Sequence, residues 1–200
     1  MYARPIQQLI QAFSKLPGVG PRTAERFVAH LLKSGKKDVA ELSSALQYLM
    51  STTKSCTSCW DFSDRSPCAL CTDTTRDQTL LCIVAEPHDL QALEHTGTYR
   101  GYYHVLRGTI DPIDEEQMRG LKIKELLSRI QAAGPFREII LAFNPDVAGE
   151  TTILALTRLI REGAPRLTVT RLARGLPMGS DLRYADDITL GNAIAHRVKT

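Results

Sequence analysis

Apolar side chains recur with the period of an α-helix through the N-terminal part of the chain. The first apolar face predicts a helix that ends at about Lys15, and its members are Ile6, Leu9, Ile10, Phe13 and Leu16. A second helix is predicted over residues 22–32, after Pro21, which suits the first helical position because its missing N–H is not needed there. The side chains that this helix is expected to bury are Ala24, Phe27, Val28 and Leu31.

A third helix is predicted directly afterwards. Asp38 and Glu41, three residues apart, have the spacing of a capping box at a helix start. The apolar positions that would line this helix are Val39, Leu42, Leu46 and Leu49. The N-terminal part of the chain is therefore expected to be all-helical.

The periodicity disappears between Thr52 and Gln78 and changes character beyond. The later part contains four apolar, β-rich runs, at residues 80–85, 102–108, 138–143 and 167–173. Helical patterns separate them, at about residues 89–95, 121–132 and 150–162. This alternation predicts a mostly parallel sheet covered by helices. The residues "TLGNAIAHRVKT" (189–200) predict a short final helix.

Composition narrows the class of protein. The 200 residues include 43% hydrophobic ones, enough to build cores. No run approaches the roughly 20 apolar residues of a membrane span, and the N-terminus lacks the apolar stretch of a signal peptide. A cytoplasmic protein without a membrane partner is expected.

The net charge of +3 is unevenly distributed. Residues 1–55 contain eight Lys/Arg and three Asp/Glu, which gives +5, and the rest of the chain has −2. The basic segment favours a phosphate backbone as partner, with an ordinary solvated surface as the alternative.

Four cysteines have the spacing of a metal site, C-x2-C-x8-C-x2-C, and are Cys56, Cys59, Cys68 and Cys71. Two C-x2-C turns that face each other give the tetrahedral thiolate set that Zn²⁺ favours. A disulfide pair is the alternative, which a reducing cytosol disfavours. Because cysteine fills all four positions, one structural zinc per chain is expected. Cys82 lies in an apolar run and is expected to be a buried small hydrophobe.

The stretch "LPGVGP" between the first two helices is typical of a helix-hairpin-helix. Without a Cβ at Gly18 and Gly20, a phosphate can approach the main chain and the start of the second helix. Arg22 and Arg26, one turn apart, would extend the contact, with Lys15 behind them. Such contacts predict sequence-independent DNA binding; a tight turn with glycines for geometry alone is the alternative.

Three segments in order, "LPGVGPRTA", the four-cysteine motif and "CIVAEPHD…AFNPDVAGETT", resemble the RecR family of bacterial recombination mediators. The resemblance runs from about residue 5 to 197 and includes "RGLPMGSDLRYADDITL". It implies an α+β multi-module fold, and its expected parts are a helix-hairpin-helix domain (1–54), a four-cysteine zinc finger (55–78), an α/β Toprim domain with a mostly parallel sheet (79–173) and a C-terminal Walker B-like loop and helix (174–200).

The family resemblance also implies partners and assembly. It implies a homodimer or ring-shaped homotetramer without enzymatic activity that binds single- and double-stranded DNA. With RecO-like and RecF-like proteins, such an assembly would load the RecA recombinase at single-stranded gaps.

The Toprim segment departs from the pattern of Toprim enzymes. Those enzymes end the first strand on a glutamate and a later strand on D-x-D, because paired carboxylates hold Mg²⁺. Here the glutamate position falls on Ala85, and Asn144-Pro145-Asp146 replaces the D-x-D. The acidic residues that remain are predicted to dock a basic partner or hold a metal weakly, with helix caps and surface acids as the alternative; they are Glu86, Asp89, Asp146 and Glu150.

Two rival functions remain open from the sequence. A Mg²⁺-dependent Toprim nuclease or topoisomerase-type enzyme is disfavoured by the missing glutamate and the lack of a placed tyrosine nucleophile. A protein adaptor whose hairpin touches no DNA is the other. The absence of a G-x4-G-K-[ST] motif gives no support for nucleotide hydrolysis.

Overall fold

The computed structural model describes residues 2–111, 115–133 and 136–197. Contacts divide the chain into two compact units, Met1–Thr53 and Lys54–Thr200. The helices of the first unit are α1 (Arg4–Ser14), α2 (Pro21–Ser34) and α3 (Lys36–Thr52).

The first two helices pack against each other through an aromatic contact. The rings of Phe13 and Phe27 meet edge to face, with centroids 5.7 Å apart. Ala24 and Val28 are buried beside them, as the apolar pattern predicts. Phe27, however, is 43% exposed, because a unit of three short helices has little surface with which to cover its outer face.

The predicted capping box of the third helix is wrong. The chain turns at Gly35, whose φ of 91° is available to glycine at little cost, and α3 begins at the next residue. Asp38 therefore lies inside the first turn of α3 instead of before it.

The second unit begins with the four-cysteine segment and continues into the sheet. Short strands β1 (Lys54–Ser55) and β2 (Phe62–Ser63) pair antiparallel, and α4 (Ala69–Thr72) follows. The strands of the main sheet are β3 (Asp77–Val84), β4 (Gly101–Val105), β5 (Glu138–Ala142) and β6 (Thr168–Arg171). The helices among them are α5 (Pro87–His95), α6 (Glu115–Gly120), α7 (Ile123–Ala133) and α8 (Val147–Gly163).

The sheet has the order β4-β3-β5-β6, and every neighbouring pair is parallel. The predicted alternation of strands and helices is thus confirmed. The helix α6 escaped prediction because its six residues carry no apolar period.

Side chains of β3, one of the two inner strands of the sheet, point alternately to two cores. Leu81 and Ile83 pack on one face with the buried residues of α7 and α8. Cys82 and Val84 pack on the other face, against Leu90 of α5 and Tyr103 of β4. Cys82 is 2% exposed, which confirms its expected place as a buried hydrophobe.

The chain after β6 contains a single-turn 3-10 helix (Leu182–Tyr184) and the helix α9 (Asp187–Ala195). The final helix starts earlier than predicted because Asp186 accepts a hydrogen bond from the Thr189 N–H over 2.8 Å and caps it. Residues 198–200, the end of the predicted helix, lie outside the described part of the chain.

Candidate metal centre and nucleic-acid interface

The four predicted metal ligands come together. The sulfur atoms of Cys56, Cys59, Cys68 and Cys71 all lie within 4.8 Å of one another. Two of the distances are 3.9 Å, between Cys56 and Cys71, and 3.5 Å, between Cys59 and Cys68. A tetrahedral zinc ion with Zn–S bonds of about 2.3 Å requires S···S distances of about 3.8 Å, so the cluster has the size of such a site.

Main-chain hydrogen bonds build the two turns that carry these sulfurs. The Cys56 N–H donates to the Asp61 carbonyl over 2.8 Å, and the Trp60 N–H donates back to Cys56 over 2.9 Å. In the second turn, the Cys71 N–H donates to Cys68 over 3.1 Å. The Cys68 N–H in turn donates to the Cys56 sulfur over 3.3 Å. The two turns therefore face each other, and we call residues 54–72 the knuckle.

The thiol chemistry of the knuckle fits a cation. All the cysteines are free, and the sulfur separations exceed the roughly 2.05 Å of a disulfide. Hydrogen bonds from the neighbouring thiols, followed by burial, raise the pKa of Cys59 far above its ordinary value. Four thiolates cannot share this volume without a positive ion, and a bound dication would reverse the shift.

The knuckle is attached to the end of β4. The Val105 N–H donates to the Cys59 carbonyl over 2.7 Å. Arg107, two residues further, donates from Nε to the Trp60 carbonyl over 2.8 Å and lies 3.6 Å from the centre of the Phe62 ring. Sequence reasoning did not identify Arg107, and a single arginine after a β-rich run offers no signal that it would hold a segment nearly fifty residues away.

The predicted DNA-contacting residues lie around the hairpin turn of the first unit. Lys15 is the C-cap of α1, Gly20 is the N-cap of α2, and both are exposed. Arg22 and Arg26 are exposed one turn apart on α2. Within the described part of the chain, no side chain caps the start of α2, so its first-turn N–H groups are available to a ligand.

The two glycines of the turn differ. Gly18 has a φ of 76°, a conformation that favours glycine, so the geometry of the turn accounts for it. Gly20 is extended, with φ −79°, and a Cβ built on it would meet no atom within 4 Å. The turn itself therefore does not require glycine at position 20.

The four acidic residues predicted as a docking surface each have a local partner. Glu86 and Asp89 form a capping box at the start of α5, in which the Glu86 N–H donates to Asp89 over 2.9 Å. Asp146 caps α8 by accepting from the Gly149 N–H over 2.7 Å. Glu150 pairs with Arg171, over 3.1 Å, and with Arg174. These contacts match the helix-cap alternative, and the docking role stays a prediction.

Among the described residues, these acids do not lie close enough together to form a group of three or more metal ligands. The usual glutamate position is occupied by Ala85, and two arginines neutralise Glu150. Among the described residues, the four cysteines are the one group of three or more ligand-type side chains close enough for a metal. Of the two arginines that pair with Glu150, Arg171 ends β6 and Arg174 follows it, and neither carries a sequence signal that would have paired it with Glu150.

The described residues contain no helix long and apolar enough to cross a membrane.

Comparison with known proteins adds three family matches. A model described as "RecR, helix-hairpin-helix" matches residues 6–50, "Toprim domain" matches 79–173, and "RecR, C-terminal" matches 175–198.

Full-length relatives give the same result. The "Recombination protein RecR" of Moorella thermoacetica is 46% identical over 196 residues, which cover 98% of this chain and 97% of that protein. The protein of the same name from Nocardia farcinica is 46% identical over 200 residues, and that from Mycobacterium leprae 44%, with 98% of both chains covered in each case.

Proposed function

The chain belongs to the RecR family of recombination proteins, and from that premise we propose that it is a non-enzymatic DNA-binding scaffold of recombinational repair. Acting with RecO-like and RecF-like proteins, it would load RecA onto single-stranded gaps. The observation that carries the proposal is the uncapped start of α2 beside the exposed cations of the hairpin.

The hairpin offers the chemistry that a phosphate backbone needs. N–H groups at a helix start and the positive end of its dipole attract an anion. Arg22 and Arg26 would neutralise phosphates on either side, with Lys15 on the other arm of the turn. None of these groups reads a base edge, so the hairpin should contact single- and double-stranded DNA alike through phosphates, with an affinity independent of sequence.

The test compares two double variants that remove the same charge. Arg22→Ala with Arg26→Ala should weaken binding about equally for unrelated oligonucleotides and lower the slope of log K against log salt by about 0.7–0.9 per lost contact. Arg161 and Arg166, exposed in the second unit, provide the control Arg161→Ala with Arg166→Ala. Equal losses of DNA affinity in the two double variants would show that the hairpin is not the DNA site and would favour the protein-adaptor alternative.

The knuckle would hold one structural zinc through its four cysteines. The spacing of the four sulfur atoms supports a dication with soft ligands. Four protein ligands leave no open position for substrate or water, so the ion would supply folding free energy and no catalysis. Cys56, Cys59, Cys68 and Cys71 are thus assigned as structural ligands.

A surface for a basic partner, such as a RecO-like protein, is proposed at the carboxyl end of the sheet. Glu86 follows β3 and Asp146 follows β5, and these strands are neighbours. Since arginines neutralise Glu150, the charge offered there comes from Glu86, Asp89 and Asp146. Glu86→Gln with Asp146→Asn removes two charges with side chains that can still cap. Loss of RecO-like binding at unchanged stability would support this surface, and unchanged binding would exclude it.

We propose a homodimer or ring-shaped homotetramer because both units expose apolar side chains. In the first unit, Val39, Leu42, Leu46 and Leu49 on α3 are 41–56% exposed. In the second, Ile188 and Ile194 of α9 are 78% and 67% exposed. Two separate apolar patches on each chain are what a closed ring of isologous contacts needs.

The enzymatic alternative is tested directly. A Toprim nuclease or topoisomerase would cut or relax DNA in the presence of Mg²⁺, and a scaffold would leave it intact. The lack of converging carboxylates among the described residues supports the scaffold. Incubation of supercoiled and linear DNA with pure protein and Mg²⁺ decides between them. A role on chromosomal DNA also implies a cytoplasmic location.

A further inference from the structure

A groove of about 680 Å³ separates the knuckle from α7 within the second unit. The knuckle contributes Trp60, and α7 contributes one face that contains Lys124, Ser128 and Arg129. Tyr102 of β4 and Phe136, which follows α7, complete the apolar part of the lining. This volume is typical of ligand sites in proteins.

Cations lie against the aromatic rings of this groove. Arg129 lies 5.9 Å from the centre of the Tyr102 ring and 5.8 Å from that of Phe136. Its Nη1 donates to the Tyr103 carbonyl over 2.6 Å, which fixes the guanidinium between the two rings. Lys122 Nζ lies 4.4 Å from the centre of the Trp60 ring.

The charge of the groove is positive. Among the described residues that line it, Lys124 and Arg129 outnumber the one carboxylate, that of Glu125. Lys122, at the edge of the groove on the Trp60 ring, pairs with that carboxylate over 3.3 Å. Aromatic faces interleaved with cations are the composition of sites that bind unpaired nucleotides, because bases stack on rings and phosphates pair with the cations. A duplex keeps its base faces stacked inside and cannot use such rings.

We propose that this groove binds an unpaired nucleotide of single-stranded DNA by stacking a base against Trp60. The Lys122 ammonium would leave the ring face and would then pair with the adjoining phosphate. Lys124 would hold a second phosphate along α7. The inference rests on the proposed DNA-binding function and adds to it, because the hairpin contacts phosphates only, whereas the groove requires an unpaired base.

Trp60 is the one tryptophan of the sequence, so its fluorescence reports on this groove alone. Full-length, metal-loaded protein is titrated with a labelled oligothymidylate of roughly twenty nucleotides, a length that exceeds one binding site. Anisotropy of the label measures total binding, and tryptophan quenching measures stacking. A duplex of the same length and free thymidine monophosphate complete the set of probes.

The single strand should quench Trp60, and the duplex and the monophosphate should not. Lys124→Ala with Phe136→Leu should raise the concentration of single strand needed for half-maximal quenching by about tenfold. Arg161→Ala, a single-charge control outside the groove, should leave it unchanged. Arg22→Ala with Arg26→Ala should lower the affinity and retain the depth of quenching at saturation. If the double groove variant unfolds, Lys124→Ala alone gives the comparison, through a lower salt slope.

The outcomes separate this inference from the function on which it rests. Binding seen by anisotropy without quenching of Trp60 would overturn the groove and leave DNA binding intact. Equal quenching by the duplex or by the free nucleotide would also overturn it. A lack of binding in both measurements would overturn the DNA-binding function itself.

Discussion

Arg107 donates a hydrogen bond to the main-chain carbonyl of Trp60 over 2.8 Å, and these are the two non-glycine residues with positive φ in the described part of the chain. Their φ values are 69° and 64°. Such conformations cost free energy and persist where surrounding contacts hold them. The contacts here join the knuckle to the end of β4, on which one wall of the groove depends.

Replacing Arg107 should loosen the knuckle without removing its metal. Arg107→Gly accepts the positive φ, so the variant loses only the side-chain contacts with Trp60, Phe62 and Ser55. We expect a loss of about 1–3 kcal/mol in the free energy of unfolding and faster amide exchange in the knuckle at full metal content. Arg166→Gly, at an exposed site, is the control for removal of an arginine. Identical amide exchange in wild type and Arg107→Gly would show that Arg107 does not hold the knuckle against β4.

Removal of the metal should unfold the knuckle and spare the sheet. We expect one zinc per chain, and Cys56→Ser or Cys71→Ser should abolish its binding, which contributes about 10–16 kcal/mol in isolated zinc peptides. The α/β part should keep its circular dichroism because its two cores lie on the sheet faces. Elemental analysis checks the stoichiometry, and well under one zinc in protein never exposed to chelator would contradict it.

Acid should weaken the fold through His104. Its ring is buried, with Nε2 donating to the Lys122 carbonyl over 2.9 Å. Burial, helped by the positive charge of Arg129 and only partly opposed by this hydrogen bond, lowers the pKa of His104 to about 4. In the unfolded chain its pKa is 6.5, so the unfolded state binds more protons between these values. Stability should therefore fall as the pH drops from 6.5 towards 4, by up to about 1.4 kcal/mol per pH unit.

The measurement is chemical unfolding of wild type and His104→Gln across this pH range. Loss of zinc in acid affects both proteins alike, so the difference between them isolates the histidine. We expect the wild type to lose stability more steeply, and parallel curves would show that His104 does not titrate as its burial implies.

Gly20→Ala should impair DNA binding more than folding. The backbone at this position suits alanine, and the new Cβ would meet no atom within 4 Å. The free energy of unfolding should therefore change by about 1 kcal/mol or less. The same Cβ would occupy the approach of a phosphate to the start of α2. Affinity for an oligonucleotide should fall while the melting temperature stays within a few degrees; equal affinity would mean that no phosphate approaches Gly20.

Deletion of residues 188–200 should reduce the size of the assembly. It removes the exposed Ile188 and Ile194 and leaves the apolar face of α3 for a remaining contact. Light scattering coupled to gel filtration should then report a shift from tetramer to dimer, or from dimer to monomer. An unchanged mass would place the self-contacts elsewhere.

The sequence by itself determined those features that depend on local spacing. Apolar period predicted the helices and strands, because burial of one face dictates where apolar residues recur. The spacing of Cys56, Cys59, Cys68 and Cys71 predicted one cluster, since each C-x2-C turn is short enough to close on itself. The ordered motifs were sufficient to indicate the family.

Contacts between distant parts of the chain were decided by the tertiary structure alone. Arg107 meets Trp60 across 47 positions, and Arg171 meets Glu150 across 21, and neither pair has a periodic or short-range signature. The acids predicted as a docking surface also cap helices or pair with arginines, contacts that arise because the strand ends bring helix starts and β6 to the same edge. The groove between the knuckle and α7 likewise exists only once β4 places Cys59 beside Val105, a position that no local pattern encodes.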